Sequence, residues 1–123
     1  MNSAVIIEPR KIRQTVDVIH HFYKKIKNMY FYLFCGKNTK SWWLSKLKIP
    51  IQIIELDTDN LTSFEYNDLL KTQTFWNTFV GEYVLIFQSD TWLNDTSIYS
   101  FEYFLENNYS YIEMGYKLFC TKN

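Results

Sequence analysis

Short apolar runs alternate along this chain with stretches in which apolar residues recur every three or four positions. An apolar run without polar interruptions is typical of a strand that is buried on both faces of a sheet. The runs that predict strands are residues 4–7, 29–35, 51–56, 83–88 and 109–114, followed by a final edge strand at residues 116–120.

Helices are predicted between these strands. Pro9 ends the first strand and fits the first turn of a helix, because proline has no N–H donor and a fixed φ angle. From Arg10 onward the spacing predicts an amphipathic helix. The residues expected on its buried face are Ile12, Val16, Ile19, Tyr23 and Ile26.

Capping residues mark the other helices. Thr62 and Glu65 have the spacing of a capping box, which predicts helices at residues 63–70 and 73–79. The caps expected for the two remaining helices are Thr39 or Ser41 for the short second helix and Asp95 or Thr96 for the last helix.

This alternation of strands and helices predicts an α/β fold, with a mostly parallel sheet between two layers of helices. The 123 residues are enough for one domain and its core. In open α/β sheets, ligands bind beyond the carboxyl ends of the strands. Candidate functional residues are therefore sought where strands end.

Composition and charge exclude several classes of protein. The formal net charge is zero, whereas a nucleic-acid surface normally shows a basic excess. The longest apolar run, residues 30–35, is too short for a membrane span, which needs about 20 residues. Glu8 comes too early for a signal peptide, so a cytoplasmic protein is expected. Cys35 and Cys120 match no metal-binding spacing and are expected to be buried, reduced thiols.

Asp90 is the leading candidate for chemistry, because it lies at the carboxyl end of a strand that is expected to be buried on both faces. It has two interpretations: it contacts a ligand or a divalent cation, or it caps the loop or the next helix. Glu8 and Arg10 follow the first strand. Arg10 could make a bidentate hydrogen bond to a phosphate, or Glu8 and Arg10 could form a local ion pair at a solvated helix start.

Other residues are weaker candidates. Trp92 follows Asp90 closely enough to line a pocket, and Tyr66 and Asn67 could face the same crevice, although helix packing explains Tyr66 equally well. His20 and His21 point about 100° apart on a helix and cannot simply share one ion, so one is expected to be half-buried and the other solvated. No Ser-His-Asp set and no glycine-rich phosphate loop can be read from the sequence.

Several segments, taken in order, resemble an uncharacterised glycosyltransferase-like family known from large DNA viruses, fungi and other microbes. The marks of that family are a first strand ending in Glu-x-Arg, a Tyr-Asn-x-Leu-Leu helix, a Phe-Trp pair and a strand ending in Phe-Gln-Thr-Asp-Ser. The resemblance covers residues 4–116. The matching segments here are residues 5–10, 60–70, 75–76, 84–91 and 104–112.

The resemblance implies a Rossmann-like domain of the GT-A type that binds a nucleotide-sugar donor, and hexosyl transfer if the protein is active. In such folds an Asp-x-Asp motif holds manganese or magnesium on the donor diphosphate, and here Asp90 alone matches it. The resemblance also implies that Gln88 or Thr91 contacts a ribose hydroxyl or a metal-bound water. Glu8 and Arg10 would flank the nucleotide.

The chain departs from the family pattern after residue 108. The family continues into an Ala-Pro-Trp segment and an acceptor-binding half, which are not found in residues 108–123. The expectation is therefore a truncated donor-binding half, spanning residues 1–123, with no catalytic residue assigned. The alternative is a non-catalytic paralogue that binds a nucleotide or associates with itself or a partner as an oligomer.

Overall fold

A computed structural model describes residues 1–113 and 118–122 of the chain, and these contain six strands and five helices. The strands are β1 (Asn2–Glu8), β2 (Met29–Cys35), β3 (Gln52–Glu55), β4 (Tyr83–Phe87), β5 (Tyr111–Glu113) and β6 (Leu118–Lys122). The helices are α1 (Arg13–Lys25), α2 (Lys40–Lys46), α3 (Ser63–Leu70), α4 (Gln73–Asn77) and α5 (Asp95–Glu106).

The strands form one sheet in the order β3-β2-β1-β4-β6-β5. Strands β1, β2, β3 and β4 pair in parallel, whereas β6 pairs antiparallel with both β4 and β5. The α/β class and the sheet between helices are confirmed. The expectation of a mostly parallel sheet holds for the first four strands only, because β6 makes the sheet mixed.

The expected final edge strand is an interior strand. Leu118 and Cys120 are buried, and β6 lies between β4 and β5. The edge is instead β5, a short strand in which Tyr111 and Glu113 are exposed. Apolar residues at the chain's end therefore pack inside the sheet. Residue 114 of the predicted fifth strand and residues 116–117 of the predicted final strand lie outside the described residues.

Helices cover both faces of the sheet. On one face α1, α2 and α5 pack against β1, β2 and β4 in the larger core, with Phe22 of α1 stacked on Phe87 of β4 at a centroid distance of 4.1 Å. On the other face α3 and α4 pack on the alternate side chains of the same strands, and Phe34 meets Phe75 there. The central strands are therefore buried on both sides, as their apolar runs predict.

The first helix differs from the prediction in its start and its buried face. It begins at Arg13 rather than directly after Pro9, and Ile12 is its N-cap. Phe22 is fully buried, whereas Tyr23 is exposed. The spacing of apolar residues in this segment allows either Phe22 or Tyr23 on the buried face of the helix. In the structure Phe22 fills the space against Phe87.

The caps of the other helices are partly as predicted. The capping box at α3 is confirmed, because Thr62 accepts a hydrogen bond from the Glu65 N–H and Glu65 accepts one from the Thr62 N–H. Thr39 is the N-cap of α2, but its hydroxyl donates to the Gly36 carbonyl. The N-cap of α5 is Asn94, one residue before Asp95 and two before Thr96, the predicted caps.

Candidate functional site

The carboxyl ends of β1 and β4 lie side by side at one rim of the sheet. From β1 the chain continues to β2 and β3 on one side, and it then crosses to β4 on the other. This reversal is a topological switch point, the place where open α/β sheets bind ligands. A cavity of about 600 Å³ opens there, within the size range of small-molecule sites.

Three segments line this cavity, which we call the β1–β4 cavity: the end of β1, the start of α3 and the turn after β4. The lining residues are Ile7, Glu8, Pro9, Arg10, Asn60, Leu61, Thr62, Ser63, Tyr66, Asn67, Gln88, Ser89 and Asp90. The structure thus brings together six of the eight residues that the sequence suggests as donor contacts. Of those eight residues, all of which the structure describes, Thr91 and Trp92 are not in the lining.

Glu8 and Arg10 form a close ion pair in the cavity wall. Arg10 Nε lies 3.1 Å from Glu8 Oε2, Nη2 lies 3.4 Å from Oε1, and the Arg10 backbone N–H also donates to Oε2 at 3.3 Å. The Glu8 side chain is 5% exposed and that of Arg10 is 58% exposed. The pair uses two of the five guanidinium N–H donors, so Arg10 retains donors for an anionic ligand.

Gly36 holds the segment that carries Arg10. Its N–H donates to the Pro9 carbonyl at 3.1 Å, which ties the end of β2 to the residue after β1. A Cβ atom at position 36 would lie 2.2 Å from the Pro9 oxygen, so only glycine permits this approach. The position of Arg10 therefore depends on a backbone contact that the spacing of motifs does not reveal.

The second wall is the first part of α3. Gln88 Nε2 donates a long hydrogen bond to the Tyr66 hydroxyl at 3.4 Å, which joins this wall to the end of β4. Burial raises the pKa of the Tyr66 phenol, and the hydrogen bond from Gln88 opposes that rise. Tyr66 is thus a neutral hydroxyl in the cavity at physiological pH, and it also packs into the smaller core.

A tight turn carries Asp90. The Thr91 N–H donates to the Gln88 carbonyl at 3.1 Å, and the Thr91 hydroxyl donates to the same oxygen at 2.6 Å. The Thr91 hydroxyl is engaged in the turn, so its role here is to shape the loop that presents Asp90. Direct contact of Thr91 with a ligand stays a prediction, because the hydroxyl oxygen can still accept a hydrogen bond.

Trp92 leaves the cavity and packs on α1 instead. Its ring stacks on the His21 ring at a centroid distance of 3.6 Å, and His21 Nε2 lies 3.0 Å from the Leu93 carbonyl oxygen, to which the protonated ring nitrogen donates. Burial lowers the pKa of His21; the hydrogen bond with Leu93 opposes this, and Lys25 and Lys24 add to it. The pair anchors the far end of the loop that carries Asp90.

The two histidines have similar structural roles. His20 Nε2 accepts a hydrogen bond from the Lys48 backbone N–H at 3.0 Å, in the loop between α2 and β3. His20 and His21 are both partly exposed, rather than one half-buried and one solvated as the sequence suggested. Each ring ties a neighbouring loop to α1.

Metal binding at this rim would depend on Asp90. Across residues 1–113 and 118–122, no group of three or more histidines, cysteines or acids is arranged to hold a metal ion. The lining residues that the structure describes include two carboxylates, Glu8 and Asp90. Both oxygens of Glu8 accept hydrogen bonds from Arg10. Magnesium can bind through one carboxylate when substrate phosphates supply further ligands.

The sequence reasoning found Tyr66 and Asn67 in the α3 wall of the cavity but missed the residues at its start. Asn60, Leu61, Thr62 and Ser63 precede or begin α3 and line the cavity together with Arg10 and Asp90. The available signal was the capping box, since it places a helix N-terminus just after β3. The first backbone N–H groups of a helix favour negative charge in front of them.

Arg10→Ala should lower the free energy of unfolding by about 1–3 kcal/mol, because it removes the two guanidinium donors of the buried Glu8 carboxylate and leaves it the backbone N–H of residue 10. Urea unfolding followed by circular dichroism measures this. The double variant Glu8→Gln/Arg10→Ala should lose less than the sum of the single changes. Additive losses would contradict a coupled pair.

Comparison with known proteins gives a family but no activity. The family described as "Protein of unknown function (DUF5672)" matches residues 50–115, a segment that runs from just before β3 through β5. No curated protein matches the chain. In the part of the chain that the structure describes, no helix is long and apolar enough to cross a membrane. Because the match extends over more than half of its 123 residues, the chain belongs to the DUF5672 family of proteins of unknown function.

Proposed function

We propose that this chain is a glycosyltransferase-like domain of the GT-A type, and that it binds a nucleotide-diphosphate sugar in the β1–β4 cavity. The observation that carries the proposal is the convergence of the Glu8–Arg10 pair, the start of α3 and Asp90 on one cavity. The strand order β3-β2-β1-β4 supports it, because nucleotide-binding sheets use this order around their switch point.

Arg10 and the start of α3 are the groups that would attract the diphosphate. The ion pair with Glu8 fixes the guanidinium plane, and a fixed fork is well suited to phosphate oxygens. Ser63 is the first residue of α3, and the helix dipole adds a positive potential at this end. Arg10 and Ser63 both line the β1–β4 cavity.

The remaining lining residues would bind the uncharged parts of the ligand. Tyr66, Asn67 and Gln88 carry a phenol and two amides that can donate or accept hydrogen bonds. Gln88 and Tyr66 already face one another, so a ribose or base could replace their long mutual hydrogen bond with shorter ones. Such groups would orient the ligand in the cavity and would not neutralise its negative charge.

A divalent cation, manganese or magnesium, fits this site only together with the ligand's phosphates. When bound, it would neutralise the negative charge of the diphosphate as the sugar departs. Asp90 would hold it, and the turn closed by Thr91 would keep that carboxylate at the rim. Arg10 would bind the phosphate oxygens on the other side of the cavity.

A nucleotide-binding domain without turnover is the second candidate. The observation that favours it is the engagement of Glu8, whose two oxygens both accept from Arg10. A base that activates an acceptor hydroxyl needs a free carboxylate or imidazole within reach of the acceptor. In the described lining, Glu8 does not meet that requirement in its present pairing.

Thermal unfolding with uridine, guanosine and cytidine diphosphate sugars, each with and without Mn²⁺, tests the proposal. A donor at 100 times its dissociation constant should stabilise the protein by about 2.7 kcal/mol, and Mn²⁺ should be needed for the full effect. Asp90→Asn should remove the dependence on Mn²⁺. Asp68→Asn, on the exposed side of α3, is the matched control and should behave like the wild type.

The same samples separate the two candidates. Release of free sugar or nucleotide from the stabilising donor supports a transferase, because such enzymes commonly hydrolyse donors slowly. Stabilisation without release supports the binding domain. If no donor stabilises the wild type, with or without Mn²⁺, the proposal is wrong.

A further inference from the structure

A second cavity lies at the opposite end of β1 from the β1–β4 cavity, and we call it the α1–α5 cavity. Asn2, the first residue of β1, lines it, whereas Glu8, the last residue of β1, lines the β1–β4 cavity. Its other lining residues belong to the end of α1, the turn into β2 and one side of α5, together with Met1. The volume of about 360 Å³ lies within the size range of small-molecule sites.

The larger part of this lining is apolar. Ile26 after α1, Met29 of β2 and Phe101 of α5 line the cavity and are at most 8% exposed. Ile98 and Leu105 of α5 are partly buried and pack against the larger core beside them. The α1–α5 cavity therefore offers an apolar contact surface to the body of a small ligand.

One carboxylate shares this side of α5. Residues 98, 101, 102 and 105 have the spacing of one helix face, so the exposed Glu102 lines the cavity with its apolar neighbours. Within residues 1–113 and 118–122, no ion pair or side-chain hydrogen bond engages the Glu102 carboxylate. Glu102 thus brings to the cavity a negative charge that no partner in the described chain neutralises.

Two lysines line the same cavity from the side of α1. Lys25 is the last residue of α1, Lys27 lies in the turn into β2, and both are exposed. Neither ammonium forms an ion pair with Glu102 or with any other acid of the described chain. The side-chain amide of Asn28 also lines the cavity, and it makes no hydrogen bond to described residues. Charges of both signs therefore border one apolar cavity without pairing with each other.

We propose that the α1–α5 cavity binds a free apolar α-amino acid. The carboxylate of the amino acid binds Lys25 and Lys27, and its ammonium binds Glu102, in charge-assisted hydrogen bonds. Its side chain packs on Phe101 and Met29. A fatty acid would place a second negative charge beside Glu102, and an alkyl amine would leave both lysines without a partner. A zwitterion with an apolar side chain matches both charges and the apolar lining.

Isothermal titration calorimetry of the full chain with leucine and with phenylalanine is the first test. Their analogues 4-methylpentanoate and 3-phenylpropanoate lack the ammonium, 3-methylbutylamine and 2-phenylethylamine lack the carboxylate, and glycine lacks the apolar side chain. At least one of the two amino acids should bind saturably, and its analogues and glycine should bind at least tenfold more weakly, because each loses one of the contacts. If neither amino acid binds, or if an analogue binds within tenfold of its amino acid, the proposal is wrong.

Two variants test which residues recognise the charges. Glu102→Gln and Lys25→Gln/Lys27→Gln nearly keep the size of the side chains and remove their charge, and each should raise the dissociation constant at least tenfold. Glu102→Gln should also bind the amino acid no more tightly than it binds the analogue without an ammonium. This loss of discrimination would not follow from a purely structural role of Glu102.

Matched controls make the same charge changes outside the cavity. Glu106→Gln lies one turn further along α5, and Lys11→Gln/Lys24→Gln lies before and within α1; all three residues are exposed and none is in the lining. Both controls should bind the amino acid like the wild type, and circular dichroism checks that every variant is folded. Binding that the cavity variants leave unchanged would show that the amino acid binds elsewhere, and the proposal would be wrong. Neither result bears on nucleotide binding, which is measured separately at the other end of β1.

Discussion

Phe87→Ala should lower the free energy of unfolding by about 3–5 kcal/mol, the largest loss expected from a single change in this protein. Phe87 is fully buried at the end of β4. Its ring stacks on Phe22 with 15° between the planes and meets the edge of Phe31 at a centroid distance of 6.2 Å. Alanine would leave a void between α1 and the sheet, directly behind Gln88. Guanidinium unfolding followed by circular dichroism measures the loss.

Phe64→Ala is the matched control, because it removes the same side chain from a position that is 74% exposed. Its effect should stay within about 0.5 kcal/mol, as is usual for surface positions. Similar losses in the two variants would show that packing around Phe87 is not what stabilises the core.

Gly36→Ala should destabilise the protein by about 1–3 kcal/mol and displace the segment that carries Arg10. The new Cβ would lie 2.2 Å from the Pro9 oxygen and 3.1 Å from the Asp59 oxygen, so at least one backbone segment must move. Both segments border the β1–β4 cavity. Nucleotide-dependent stabilisation should therefore fall by more than the loss of stability alone explains. Urea unfolding and the chemical shift of the Arg10 Nε–H resonance measure the two effects.

Lys37→Ala is the control for Gly36→Ala. It tests whether any change in this turn lowers the stability and displaces Arg10, or only the loss of the glycine. Lys37 is the next residue of the same turn and is exposed. Alanine there should leave both the stability and the Arg10 resonance near their wild-type values. An unchanged Arg10 resonance in Gly36→Ala would contradict the proposed dependence of Arg10 on this contact.

Much of the fold could be predicted because its central strands are buried on both faces. Strand β2 has the predicted bounds, and β1 and β4 are each within two residues of prediction. The mixed sheet could not be predicted, because strand direction leaves no mark on an apolar run. The interior position of β6 depends on pairing with β4, which lies some 35 residues earlier along the chain.

The candidate site was predictable where it follows from strand direction alone. Glu8 and Asp90 meet at one rim because β1 and β4 are parallel neighbours. Thr91 and Trp92 are not in the lining of the β1–β4 cavity, because side chains in a tight turn do not alternate as they do in a strand. Thr91 is positioned by its contact with the Gln88 carbonyl, and Trp92 by its contact with His21. The spacing of residues along the sequence does not predict these contacts.

The positions of the two thiols limit how this protein responds to oxidation. Cys35 ends β2 and Cys120 lies in β6; both are buried, and burial raises the pKa of Cys120 to about 12. Strands β1 and β4 separate them, which corresponds to about 14 Å across the sheet, whereas a disulfide requires Cα atoms within about 7 Å. An intramolecular bridge between these cysteines would therefore identify a chain that was oxidised while unfolded.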